Sequence, residues 1–177
     1  PFAEIMCHMN LPEDWRFVLF RPPMGEGLSG SPESTAFKQL PPVPEQITEK
    51  LESLIESQIV PAVKEADAEK FGNGLFEYGI NAGECFAQLQ GGPFANKQVH
   101  NVVRLLRDWG IAGVGQSSWG PTVFALTDSE ENAQRLTERV NQEAPCELAD
   151  WRTDITSSDR NGAVVEISEL SGKTENE

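Results

Sequence analysis

The chain has 177 residues, a length that suits one well-buried domain with some additional segments rather than two large domains. Hydrophobic residues make up 38% and charged residues 24% of it, which is typical of a folded protein and excludes a largely disordered one. The formal net charge of −14 argues against nucleic acid and anionic membranes as partners, because Lys and Arg supply the affinity for both. A local pocket can still bind a phosphorylated small molecule.

The three cysteines, Cys7, Cys85 and Cys146, are odd in number and far apart. Without a C-x-x-C pair or a histidine cluster, they favour buried, reduced thiols in a cytoplasmic protein. Cys7-His8 does not predict a metal site, since zinc sites normally show paired ligands at short spacings. No apolar run approaches the roughly 18 residues of a membrane-spanning helix, and the first ten residues do not predict a signal peptide.

The first predicted element is a buried strand over Asp14–Phe20, which is apolar, rich in β-prone residues and closed by Arg21-Pro-Pro. A loop with three glycines follows over Met24–Pro32. Its glycines and serines supply flexibility or allow closure over a ligand. Residues 33–40 then predict a short helical turn.

Two helical segments follow, with Pro61 ending or kinking the first. Apolar residues recur at helical spacing after Pro44, with glutamates largely between them, at Ile47, Leu51, Leu54, Ile55 and Ile59. The second segment starts at Ala62 and stops at Gly83, with Phe71, Leu75, Phe76 and Ile80 as its apolar residues. Such stripes indicate core packing rather than chemistry.

Residues 85–89 predict an extended segment that leads into the turn Gln90-Gly-Gly-Pro93. Asn96 caps the next helix and Gly110 ends it. The apolar face of that helix runs through Val99, Val102, Val103, Leu106 and Trp109. His100 is a lone helical histidine, typical of a packing or surface residue.

Residues 110–126 predict a hairpin, with strands over 111–115 and 122–126 around a turn rich in glycine and hydroxyl groups. Its glycines allow positive φ angles and close approach to a ligand. Successive free N–H groups there could form an anion-binding nest. A Gly-Pro turn needs the same residues for conformational reasons alone, so both interpretations stay open at this point.

After the hairpin, Asp128 or Ser129 caps a helix with Ala133, Leu136 and Val140 inward, and residues 146–151 predict the last strand. A turn over 158–162, an apolar run over 163–167 and an acidic end complete the chain. The predicted divisions are a lead-in over 1–13, one domain over 14–167 and a disordered tail over 168–177. The order of elements predicts an α+β fold, a ferredoxin-like split β-α-β arrangement with extra helices inserted after the first strand. Its four-stranded antiparallel sheet carries helices on one face.

Two spaced motifs carry a family resemblance. Gly115-Gln-Ser-Ser-Trp-Gly-Pro-Thr-Val-Phe-Ala-Leu126 and Cys85-Phe-Ala-Gln-Leu-Gln-Gly-Gly92 resemble the C-terminal half of the β-ribofuranosylaminobenzene phosphate synthases, members of the GHMP kinase superfamily. Segments Gly27–Phe37 and Asp159–Ala163 also resemble that family, so the similarity covers most of residues 15–165. It implies the ferredoxin-like C-terminal domain of the superfamily. The implied activity is a transferase of methanopterin biosynthesis that joins hydroxybenzoate or aminobenzoate to phosphoribosyl pyrophosphate, releasing carbon dioxide and pyrophosphate.

The chain departs from the superfamily's kinases in two ways. It has no P-x-x-x-G-L-G-S-S loop, so the N-terminal half that would carry ATP chemistry is expected as a missing partner, and the chain alone is expected to be inactive. The residues from Gln116 to Trp119 stand where the kinases have a run of glycines. Side-chain amide and hydroxyl groups would then replace backbone contacts, which favours a different phosphorylated substrate over a nucleotide.

The resemblance implies a phosphate and substrate site made by Gly113, Gly115, Gln116, Ser117, Ser118, Trp119, Gly120 and Thr122, with Gln90, Gly91, Gly92, Arg21 and Glu33 as weaker candidates. No residue is identified as a general acid, general base or metal ligand, and magnesium is expected from the family. One alternative is a small-molecule kinase of the superfamily, which alone would need ATP. Another is a non-catalytic ferredoxin-like binding module whose glycine turns are structural. A homodimer is left open.

Overall fold

A computed structural model describes residues 5–23, 30–143, 148 and 150–161 of the chain. The Met24–Pro32 loop up to residue 29, Cys146, and the predicted segments from residue 162 onward lie outside the described residues. The elements in chain order are β1 (Arg16–Arg21), α1 (Gly30–Gln39), α2 (Glu45–Leu54), a π-helical turn (Ile55–Ile59), α3 (Val60–Glu65), α4 (Ala68–Glu84), α5 (Ala87–Gln90), α6 (Lys97–Asp108), β2 (Val114–Gln116), β3 (Val123–Thr127), α7 (Glu130–Glu143) and β4 (Arg152–Thr156).

The four strands form one antiparallel sheet in the order β2-β3-β1-β4. In the sheet register, Val18 of β1 lies opposite Ala125 of β3 and Ile155 of β4. This order is that of the split β-α-β arrangement, with α6 and α7 as the two crossover helices. The predicted fold class is confirmed, including the insertion of extra helices between β1 and α6. The prediction of helices on one face only is wrong, because α3 and α4 pack on the face opposite to α6 and α7.

Alternation along the strands divides the core into two clusters. Val18 and Phe20 are fully buried beneath α6 and α7 and belong to the main cluster. Leu126 points the other way and packs with Trp15 and Phe71 in a smaller cluster that the inserted helices α3 and α4 complete. The predicted apolar faces of α6 and α7 are confirmed, since Val99, Val102, Val103, Leu106, Ala133, Leu136 and Val140 are all buried.

The sequence predicts that Pro61 ends or kinks the helix before it, and the structure shows that the helix does not end there. Proline lacks an N–H group, and the helix passes through the π-helical turn before continuing as α3 to Ala66, which has φ +53°. Asp67 then caps α4 by accepting a hydrogen bond from the N–H of Lys70. Helix α4 ends at Glu84, one residue after the stop predicted at Gly83. Gly83 lies inside α4, where an added Cβ would overlap the carbonyl oxygen of Pro93, so close packing explains it.

Two strand predictions need correction. Residues 85–89 are not extended, because the N–H groups of Leu89 and Gln90 both donate to the carbonyl of Phe86 and form the single-turn helix α5. The last strand is β4 at residues 152–156, not 146–151. Leu148 and Trp151 are apolar because they are buried in the main cluster. The paired strand beyond them carries polar side chains because it lies at the edge of the sheet.

The start of β2 is also later than predicted, at Val114 instead of residue 111. The side chain of Arg107 donates hydrogen bonds to the carbonyls of Ile111 and Ala112, so these carbonyls do not pair with a strand. The expectation of buried thiols is wrong for Cys7, which is exposed, whereas Cys85 is half-buried. Within the described ranges, no helix combines the length and the apolar character needed to cross a membrane.

Candidate functional site

The turn between β2 and β3 is closed by its own hydrogen bonds. The N–H of Ser117 donates to the carbonyl of Thr122 at 2.9 Å, and the N–H of Gly120 donates to the carbonyl of Ser117 at 2.8 Å. These two N–H groups are therefore not free for an anion, and the predicted role of the turn as an anion-binding nest stays a prediction. Ser118 has φ +50° and Gly120 has φ +68°, so the backbone does take the positive φ angles expected of it.

Gln116 connects this turn to the loop that precedes α6. Its Oε1 accepts a hydrogen bond from the N–H of Ala95 at 2.7 Å, and its Nε2 donates to the carbonyl of Ser118 at 2.9 Å. The side-chain amide of Gln116 thus positions the backbone of both the turn and the loop. The side chain of Gln116 therefore joins the turn over residues 116–120 to the segment that follows the Gln90-Gly-Gly-Pro93 motif.

Trp119 joins the turn to α1. Its indole Nε1–H donates to Oε1 of Glu33 at 2.9 Å, and its ring is 9% exposed. The ring packs edge-on against Phe37 and Phe86, with centroid distances of 5.6 and 4.9 Å. Helix α1, which follows the glycine loop after β1, is held over the turn by these contacts.

These elements enclose a cavity of about 360 Å³ between α4, α5 and the strands β2 and β3. We call it the central cavity. It is lined by Glu33, Phe37, Leu75, Phe76, Tyr78, Gly79, Ile80, Ala82, Gly83, Phe86, Gln90, Pro93, Phe94, Val114, Gly115, Gln116, Ser118, Trp119 and Phe124. Six residues predicted from the sequence meet here: Glu33, Gln90, Gly115, Gln116, Ser118 and Trp119. They come from three separate segments of the chain.

The other predicted residues lie elsewhere. Gly113 is buried against α4, where an added Cβ would lie 2.9 Å from the Cα of Gly72, so packing explains it. Arg21 forms an ion pair with Asp154 at 2.5 Å and does not line the cavity. Gly91 and Gly92 line a neighbouring recess of about 320 Å³ that adjoins the central cavity at Gln90, Pro93 and Phe94. Ser117, Gly120 and Thr122 belong to the turn but are absent from the cavity lining.

Comparison with known proteins assigns the domain that holds this cavity. Residues 59–146 match the family model for the C-terminal region of GHMP kinases. Residues 59–146 belong to a GHMP kinase C-terminal domain. The family predicted from the Gln-Ser-Ser-Trp and Gln-Gly-Gly motifs is therefore confirmed.

The curated relatives of this GHMP domain include two named β-ribofuranosylphenol 5'-phosphate synthase. The protein from Archaeoglobus fulgidus is 29% identical over 167 residues, covering 93% of this chain and 49% of the relative. The protein from Methanothermobacter thermautotrophicus is 26% identical over 126 residues, covering 71% of this chain and 37% of the relative. The chain thus spans less than half the length of these proteins.

Among solved structures, mevalonate pyrophosphate decarboxylase from Streptococcus pyogenes superposes with a TM-score of 0.58 at 18% sequence identity. The match covers 84% of this chain and 46% of that one. At this identity the likeness shows the fold, which is the same GHMP arrangement of sheet and helices.

Reasoning from sequence missed most of the apolar lining of the cavity in this GHMP domain. Tyr78, Gly79, Ala82 and Gly83 all lie on one side of α4. The available signal was the mixture of small residues and a tyrosine at helical spacing, on a helix that also carries a stripe of large apolar residues. Tyr78 is the only tyrosine in the chain.

The donor set of the cavity does not form a metal site. No group of three or more His, Cys, Asp or Glu side chains that could hold a metal ion occurs in the part of the chain that the structure describes. The carboxylate that lines the cavity, Glu33, accepts a hydrogen bond from Trp119. The magnesium expected from the family therefore has no set of protein ligands among the described residues.

Proposed function

We propose that this chain is the C-terminal, substrate-binding part of a β-ribofuranosylphenol 5'-phosphate synthase-like transferase. The reaction would join phosphoribosyl pyrophosphate to a hydroxybenzoate or aminobenzoate, with release of carbon dioxide and pyrophosphate, in methanopterin biosynthesis. The observation that carries the proposal is the central cavity, which gathers residues of both family motifs around an aromatic lining. The names of the curated relatives support the same reaction.

The shape and lining of the cavity suit an aromatic substrate. A volume of about 360 Å³ lies within the range of small-molecule sites, which are mostly apolar with a few directed polar groups. The rings of Trp119, Phe94 and Phe124 offer faces and edges against which a second ring can stack. Gln90 and Ser118 supply polar groups at the same cavity, which can orient the substituents of that ring.

The chain's own residues would contribute orientation and exclusion of water. A ribosyl transfer passes through a centre with oxocarbenium character, which water attacks unless the site is dry. Helix α1, fixed by the Glu33–Trp119 hydrogen bond and by Phe37, covers the side of the cavity next to the turn. Holding two substrates in contact beneath such a cover lowers the entropic part of the barrier.

The proposal includes a partner. Because the match covers less than half of each relative, we propose that the groups that bind the pyrophosphate leaving group come largely from an N-terminal half that faces the central cavity. The chain alone is then expected to bind substrate without turnover. A cytoplasmic location belongs to the same proposal, since widely spaced cysteines that are odd in number favour a reducing compartment.

Isothermal titration calorimetry tests the proposal. Saturable binding of 4-hydroxybenzoate or of phosphoribosyl pyrophosphate with magnesium is expected, with ATP binding more weakly than either. Ser118→Ala should weaken binding about fivefold because a directed hydroxyl is lost, and Ser53→Ala, an exposed site on α2, serves as the matched control. Preferential binding of ATP would instead indicate a kinase. A folded chain that binds none of the three would indicate a binding module of another kind.

A further inference from the structure

Helix α4 contains four glycines, at positions 72, 74, 79 and 83, although glycine weakens a helix interior relative to alanine. Three of them are explained by close packing. An added Cβ would lie 2.5 Å from the backbone nitrogen of Gly113 at Gly72 and 3.0 Å from the side chain of Ile59 at Gly74, and it would overlap the carbonyl oxygen of Pro93 at Gly83.

Gly79 is the exception among these four. An added Cβ there would meet no atom within 4 Å, and the residue lines the central cavity. Its backbone is helical like that of its neighbours, so no positive φ angle requires glycine. In the folded chain, the effect of glycine at position 79 is therefore to leave an unfilled space beside α4.

Gln90 supplies a second, independent observation at the same cavity. Its Oε1 is buried, and no hydrogen-bond donor reaches it within the described part of the chain. A buried acceptor without a partner is costly, and native structures rarely keep one without a reason. Gln90 also lines the central cavity, so a ligand there can provide the missing donor.

We propose that Gly79 and Gln90 determine which ligands the central cavity accepts. Gly79 leaves the space that the ligand's ring fills against α4, and Gln90 accepts a hydrogen bond from an O–H or N–H group on that ring. The selected class is a small aromatic ring that carries a hydrogen-bond donor. This inference rests on the proposed function in so far as it takes the cavity to be the site of the aromatic substrate.

The test uses phenol and toluene, which have nearly the same shape and differ in the donor, with the 177-residue chain. Binding is followed by NMR through the indole N–H signal of Trp119, whose ring lines the cavity. The wild-type chain should bind phenol about fivefold more tightly than toluene. Gln90→Met should remove this preference by weakening phenol alone, and it should not lower Tm, since it deletes an acceptor that has no partner.

Gly79→Ala and Gly79→Leu should weaken both probes, the leucine variant by more than about tenfold. The alanine variant should at the same time raise Tm by about 2 °C, because it improves helix propensity without a clash. Gly83→Ala, four residues along the same helix, should lower Tm because of the Pro93 carbonyl. Glu84→Ala, exposed on α4, should change neither probe.

Four results would overturn the inference: no phenol binding to the wild-type chain, an unchanged preference in Gln90→Met, unchanged binding in Gly79→Leu, or a lower Tm in Gly79→Ala. A leucine variant that does not fold would also contradict the open space at Gly79. None of these results depends on phosphoribosyl pyrophosphate or on turnover. The proposed transferase could therefore fail while this inference holds, and the reverse could also occur.

Discussion

The two glycines on either side of Val114 are both buried, but they serve different purposes. An added Cβ at Gly113 would lie 2.9 Å from the Cα of Gly72, which is backbone of α4. An added Cβ at Gly115 would instead lie 2.7 Å from the ring of Phe124, a side chain at the central cavity. The first glycine allows a helix to approach the sheet, and the second shapes the floor of a cavity.

A Gly-x-Gly spacing therefore does not by itself identify a ligand site. What separates the two positions is the atom that the missing side chain would meet. Backbone on the opposite side indicates packing, and a movable side chain or open space at a cavity indicates room for a ligand. The same distinction separates Gly72 from Gly79 within α4.

The difference between Gly113 and Gly115 is tested most strongly by replacing each with alanine. Gly113→Ala should reduce the free energy of unfolding by about 3 kcal/mol, because neither the Gly72 backbone nor the Cβ of Leu126 can move away. Gly115→Ala should cost about 1 kcal/mol, because the ring of Phe124 can rotate toward the cavity. Urea unfolding measures both changes in the free energy of unfolding. Equal destabilisation by the two variants would contradict the different roles of Gly113 and Gly115.

Arg107 holds the backbone of the segment that leads into Gly113. Its guanidinium donates to the carbonyls of Ile111 and Ala112 and to Oδ1 of Asn73, and it lies 4.4 Å from the centroid of the Phe76 ring. Arg107→Met should lower the free energy of unfolding by about 2 kcal/mol, since it leaves half-buried carbonyls without a donor.

The control for Arg107 is Arg135→Met on α7, where an exposed ion pair with Glu131 is lost. That change should cost less than about 0.5 kcal/mol. Chemical unfolding of the two variants under the same conditions gives the difference. If Arg107→Met is as mild as the control, the segment before β2 is held by something other than this side chain.

Sequence reasoning predicted the fold well because the fold depends on local patterns. The helical period of α6 and the Asn96 cap were readable, and the Asn96 side chain does accept a hydrogen bond from the N–H of Val99. Prediction was incomplete where tertiary contacts decide. The close packing at Gly83 could not be predicted from the local sequence, because the carbonyl it faces belongs to Pro93, ten residues further along the chain.

The candidate site was predicted less completely than the fold. The motif residues Gln116, Ser118 and Trp119 do line the central cavity, but their assigned role as phosphate ligands remains a prediction. The aromatic lining could not be foreseen, because Phe37, Phe94 and Phe124 come from different elements and each is an ordinary apolar residue in its own segment. A cavity lining that is drawn from several elements has no regular residue spacing by which the sequence could predict it.

The contact between Glu33 and Trp119 allows a test of how α1 is held over the central cavity. A double-mutant cycle with Glu33→Ala and Trp119→Phe should give a coupling energy of about 1 kcal/mol, because the indole N–H to carboxylate hydrogen bond at 2.9 Å is lost in either single variant. The cycle cancels the packing change that Trp119→Phe causes by itself. A coupling near zero in urea unfolding would mean that α1 is held over the cavity by its apolar contacts alone.

The smallest effect concerns the turn itself. Ser118 has φ +50°, a left-handed conformation that costs an L-residue roughly 1 kcal/mol and costs glycine almost nothing. Ser118→Gly should therefore stabilise the chain by about 0.5 kcal/mol after the greater freedom of glycine in the unfolded state is subtracted. Ser117→Gly, at the neighbouring residue without a positive φ angle, should destabilise it by a similar amount. Opposite signs in a paired measurement of Tm would show that the turn keeps a serine at position 118 at a cost in stability. Shifts in the same direction would remove that reason to assign the Ser118 hydroxyl a role at the central cavity.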